Sequence, residues 1–191
     1  MRLWLRIIGL CLALAGCALE SPIPSTGYLP YNAFGNAAIG QDPAIAAMQT
    51  ATFAFAHPAV MRGDPAQMAL AIASLDAMAG QLSTVGRWLE MPSLAKLDML
   101  QARERVRAII GISPDVPSQT VIDALVAASF ALDRGDPAAA ERALTRPGFS
   151  MASTRMLALL GQFPEVPIAN RATMFASRYL HPGGDGRFSR F

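Results

Sequence analysis

Lysine is almost missing from this chain: of its 16 basic residues one, Lys96, is a lysine and the rest are arginines. Histidine occurs only at His57 and His181, and cysteine only at Cys11 and Cys17. Each scarcity removes a class of chemistry. Neither histidine has a carboxylate at ligand spacing beside it, and both precede a proline, where an imidazole serves as a helix C-cap. A copper pair of His57 with Met61 is disfavoured because Pro58 breaks the turn that would align them. A serine nucleophile lacks a histidine partner to take its proton, and there is no G-x-S-x-G, no P-loop and no glycine-rich dinucleotide turn. Glu90, Glu104, Glu141 and Glu165 are the candidate acids for glycan cleavage, yet none lies in a motif with a second carboxylate. The expectation is a protein that is not an enzyme and uses no metal or cofactor.

Long apolar runs are equally scarce. The longest, Ile7 to Leu19, is thirteen residues, short of the ~20 that a membrane-spanning helix needs. It follows Arg2 and Arg6 and ends in small residues, the layout of a secretory signal. Its last four residues, Leu14-Ala15-Gly16-Cys17, resemble the lipobox of bacterial lipoproteins. That resemblance implies diacylglyceryl attachment at the Cys17 sulfur, cleavage between Gly16 and Cys17, and acylation of the new amino terminus. Two or more acyl chains hold a protein on a bilayer where one does so only marginally. Ala18 after the cysteine, rather than an aspartate, leans towards the periplasmic face of the outer membrane. Ala13-Leu14-Ala15 is itself an A-x-A site, so plain secretion into the periplasm and an uncleaved anchor stay open as alternatives.

Setting aside residues 1–17, the signal with its acceptor cysteine, leaves 174 residues, enough for one domain with a core. It also leaves 14 basic against 14 acidic residues, because Arg2 and Arg6 leave with the signal. Net neutrality gives no nucleic-acid signature. With Cys11 removed and Cys17 acylated, no internal disulfide can form, so packing alone must hold the fold.

The remaining chain divides into three segments. Residues 18–41 carry Pro22, Pro24, Gly27, Pro30, Gly35 and Gly40 and read as an extended tether. Tyr28, Leu29, Tyr31 and Phe34 are too apolar for a solvated linker, and packing back on the domain is favoured over a partner contact. Residues 42–181 form the helical domain, and 182–191, with Arg187 and Arg190 alternating with Phe188 and Phe191, read as a mobile tail.

Within the domain, Asp42-Pro43-Ala44, Asp64-Pro65-Ala66 and Asp136-Pro137-Ala138 each offer an N-cap carboxylate followed by proline at N1. Gln67 stands at capping-box spacing after Asp64, and Ser93 and Ser118 read as further caps. Helices are expected near 42–56, 65–85, 93–110, 118–134, 137–146, 151–162 and 167–180. Met68, Ala71, Ile72, Leu75, Met78, Ala79 and Leu82 mark the buried face of the second. On the third, Leu94, Leu97, Ile109 and Ile110 are read as packing surface and Lys96, Arg103, Glu104 and Arg107 as a solvated flank. Val121, Leu125, Ala128 and Leu132 form the stripe of the fourth. Sustained alternation of Val, Ile and Thr is lacking, so strands are not expected.

The run Ala131 to Leu144 resembles the helical hairpin of tetratricopeptide-like repeats, with Gly135 as the stop and Asp136-Pro137 as the restart. A second Gly-Asp-Pro-Ala at Gly63–Ala66 follows the same stop-and-start chemistry. The fold class expected is all-α, six to seven short helices in antiparallel hairpins after an extended linker. The function expected is a lipid-anchored envelope scaffold that binds an envelope protein partner. The alternative is a carrier or sensor holding an apolar small molecule in a helical cavity.

Overall fold

The computed structural model describes residues 24–35 and 40–180. The signal, Cys17, the first part of the tether, His181 and the tail lie outside the described residues.

Eight α-helices run through the described residues: α1 (Pro43–Ala56), α2 (Pro58–Met61), α3 (Pro65–Thr84), α4 (Ser93–Ile109), α5 (Ser118–Asp133), α6 (Pro137–Leu144), α7 (Ser153–Gly161) and α8 (Pro167–Ser177). A 3-10 turn, Gly86–Trp88, joins α3 to the approach of α4. The all-α expectation holds, with α2 as an added short helix. No described helix is long and apolar enough to cross a membrane.

The three Asp-Pro-Ala sites start helices as their chemistry requires. Asp42 accepts the Ala44 N–H at 2.8 Å, Asp64 the Gln67 N–H at 3.0 Å and Asp136 the Ala139 N–H at 2.8 Å. Burial alone would push the Asp42 carboxyl up; the Ala44 N–H and the Arg87 guanidinium, 2.8 Å away, outweigh it and hold the carboxyl below its ordinary value. Its contribution to stability is therefore present above the usual carboxylate range and is lost as pH falls through the lowered folded-state value. The reciprocal half of the capping box is not made at Asp64, whose own N–H donates to Met61 O.

Gly135 stops α5 with φ at 71°. Its N–H donates to Leu132 O and the Asp136 N–H reaches back to Ala131 O, each at 2.9 Å. This is the paired Schellman arrangement, which satisfies carbonyls that the helix end would leave bare. Gly63 also has a positive φ, but its N–H donates to Gly161 O at the end of α7. The two Gly-Asp-Pro-Ala turns thus share their restart and differ in their stop.

α3 is the axis of the fold. It packs against α1, α4, α5 and α7, and fifteen of its twenty residues are buried. The one-sided stripe read from the sequence lies in the core, but so do Ala69, Ala73 and Ala77 on its other faces. Alanine makes this possible, because small side chains let neighbours close in from every side. A helix buried all round has no solvated face on which to place a charge. Asp76, the single charged residue of α3, is 1% exposed and must find its partner inside.

α4 lies between α3 and α8, and α8 returns to α1. Two readings of α4 are corrected here. Its inward residues are Ala95, Met99, Ala102 and Val106, whereas Leu94 and Leu97 are 59% and 50% exposed. Arg107, read as part of a solvated flank, is 3% exposed because the phase that buries Val106 and Ile110 carries it inward beside Asp76. Ser93 and Ser118 are also not caps: Pro92 and Pro117 occupy the N-cap positions. That frees the Ser118 hydroxyl for other bonds.

Candidate functional site

Residues 24–30, read as an extended tether with apolar residues that pack back on the domain, lie as a strap on the helices, so this part of the chain belongs to the domain. Leu29 and Phe34 pack against the core and Ala33 is buried, while Tyr28 and Tyr31 stay exposed. The strap is held by side chains of three helices that grip its backbone. From α3, Gln81 Nε2 donates to Gly27 O at 2.9 Å and the Thr84 hydroxyl meets that of Thr26 at 2.7 Å. From α4, Arg103 Nη1 donates to Ser25 O at 2.8 Å. From α5, Gln119 receives the Tyr28 N–H at 2.9 Å and donates to Tyr28 O at 3.0 Å, pairing with the strap as a neighbouring strand would.

Two glycines permit this approach. A Cβ on Gly80 would stand 2.5 Å from Ser25 O and 2.9 Å from Thr26 Cα; one on Gly27 would stand 2.8 Å from Gln119 N. Backbone meets backbone at both crossings, closer than any side chain allows.

Beneath the strap lies a buried polar chain. Arg107 Nε and Nη2 donate to the two Asp76 oxygens at 2.6 and 2.8 Å, a bidentate pair. Nη2 also donates to Ser118 Oγ at 3.0 Å, and Nη1 to Val116 O at 2.7 Å and Pro114 O at 3.3 Å. These bonds occupy the five N–H donors of the guanidinium. Ser118 Oγ then donates to Ser25 O at 3.1 Å, and the Ser118 N–H donates to Ser25 Oγ at 2.9 Å. The charge needed to neutralise Asp76 inside the core is thereby continued, bond by bond, to the strap. Burial and the like charge of Arg107 push the Arg103 guanidinium below its usual value, against the pull of Asp76 and Glu104; it remains a cation.

The sequence candidates are scattered. His57 is an exposed C-cap of α1, with its ring stacked 4.8 Å from that of Phe53 and Nδ1 2.9 Å from Phe53 O. Glu90, Glu104 and Glu165 are exposed and Glu141 half-buried, on separate elements. Among the described residues no three His, Cys, Asp or Glu side chains gather at metal-binding distance. An open groove of about 480 Å³ beside the α7–α8 loop brings Glu165 together with Arg62. Its walls hold no second carboxylate and no nucleophile. The apolar pocket between Phe55, Met61, Met68 and Phe163 has room for about 10 Å³, no more than a single water needs. Asp76, Arg107 and Ser118 were missed by sequence reasoning. The usable signal was a lone aspartate in a twenty-residue helix otherwise without charge.

Chemically, this arrangement recognises an extended peptide backbone and ties it to a buried ion pair. Set against protein-family models, curated proteins and solved structures, the chain matches none of them.

Proposed function

We propose that this protein is a lipid-anchored cell-envelope scaffold, held on the periplasmic face of the outer membrane through Cys17, which acts by binding an envelope protein rather than by catalysis. The lipobox residues Leu14-Ala15-Gly16-Cys17 support the anchor. The observation that carries the scaffold reading is the combination of a closed helical core with large side chains left in solvent. Phe53 and Val60 are 51% and 64% exposed and line an open groove of about 370 Å³ where α1, α2 and the start of α3 meet. A carrier of apolar small molecules needs an enclosed site of roughly 300 Å³ or more, and the apolar pocket near Phe55 and Met68 is far below that. The scaffold reading is therefore favoured over the carrier.

Two measurements test it. Cys17→Ser is expected to abolish metabolic lipid labelling and detergent-phase partitioning; a variant that partitions like the parent contradicts attachment at Cys17. Affinity capture of the tagged protein from detergent-solubilised envelope is expected to return one stoichiometric protein. Recovery of bound lipid with no protein contradicts the scaffold.

A further inference from the structure

We infer that the face formed by Leu89, Leu94 and Leu97 rests on the bilayer to which the protein is tied, an inference that depends on the lipid anchor proposed above. These leucines are 76%, 59% and 50% exposed. Leu94 and Leu97 stand three apart on α4 and are neighbours on its outer surface. Leu89 is joined to them through Lys96, whose ammonium donates to Leu89 O at 3.1 Å.

The strap leaves this face within reach of the anchor. Ser25 is fixed to Arg103 of α4, and Thr26 to Thr84 at the end of α3. Leu97 lies six residues before Arg103, ~9 Å along the helix axis. Leu89 follows Thr84 by five residues. The eight residue steps from Cys17 to Ser25 span at most ~28 Å. An acylated Cys17 in the membrane thus keeps these leucines within a few tens of ångströms of the lipid, at an effective concentration that lets weak apolar contacts count. Leucine side chains entering the headgroup boundary, with the Lys96 stem lying along them and its ammonium in water, is the arrangement such interfaces favour. Arg87 and Lys96 are accompanied by Glu90 and Asp98, so the contact is apolar and does not depend on anionic lipid.

The test uses the full lipidated protein in vesicles of phosphatidylethanolamine with or without phosphatidylglycerol. Because Cys17 is acylated, Leu94→Cys introduces one free thiol for an environment-sensitive fluorophore, and Val60→Cys provides a comparison site in the α1–α3 groove. The label at position 94 is expected to shift to the blue and to be quenched at least threefold by brominated lipid, equally in both compositions, while the label at position 60 is unchanged. Vesicle flotation reports the anchor separately. A protein that floats but leaves the label at 94 in water overturns the bilayer face and spares the anchor. Failure to float overturns both. Protection at 94 that arises only when envelope proteins are added overturns the inference in favour of a protein partner.

Discussion

Arg107→Met is expected to lower the unfolding free energy by about 3–5 kcal/mol, the usual cost of removing one member of a buried ion pair. The magnitude follows from what stays behind. Asp76 is 1% exposed in a helix surrounded by other helices, so no water reaches it when the guanidinium is gone. The Val116 and Pro114 carbonyls lose their donor in the same step, and Ser118 Oγ is left with only the Arg103 guanidinium as donor, at 3.2 Å. Urea denaturation measures the change through the midpoint at constant slope. The double variant Asp76→Leu with Arg107→Met is expected to be less damaged than Arg107→Met alone, because it removes the stranded charge. A single substitution costing under about 1 kcal/mol would mean that the pair is solvated or replaceable, contrary to the burial of both partners.

The second large effect concerns the strap. Gly80→Ala adds one methyl group where Ser25 O would be 2.5 Å away. In the middle of a helix, Gly to Ala is intrinsically favourable by about 1 kcal/mol, whereas overpacking at a fixed backbone costs about 1–3 kcal/mol. The conflict is resolved where the structure yields most easily. α3 is packed on every side, and the strap is held by a handful of bonds, so the strap is expected to lift. Chymotryptic cleavage after Tyr28 should then accelerate by tenfold or more, since Gln119 no longer occupies that residue's N–H and carbonyl. Far-ultraviolet circular dichroism should be unchanged. Gly27→Ala should do the same from the opposite side. Cleavage at the parental rate in both variants would show that the strap is not seated where the two glycines place it.

What the sequence made legible was local. Asp-Pro-Ala can be read as a helix start because cap and proline are adjacent, and all three occurrences start helices. Gly135 could be read as a stop for the same reason. What escaped depended on long-range contacts. Arg107 lies on a helix whose charges suggest solvent, and nothing within α4 shows that Asp76, thirty-one residues earlier, waits on the other side. Leu94 and Leu97 look like core by type, yet the interior side of α4 is set by alanine and methionine because α3 and α8 approach closely there. The strap was half legible: Pro24, Gly27 and Pro30 signal an extended chain and Leu29 and Phe34 its return to the domain, but not which helices it lies upon. Ser118 looked like a cap, and Pro117 before it took that place.

The docked strap would join the proposed anchor to the domain, and amide hydrogen exchange on the wild-type protein tests its docking most directly. The Tyr28 amide, bonded to Gln119, and the Ser118 amide, bonded to Ser25, are expected to be protected at least a hundredfold over the unstructured chain and to open together. Exchange of Tyr28 at the free-chain rate while the α3 amides remain protected would contradict the account, leaving a folded domain on a loose tether.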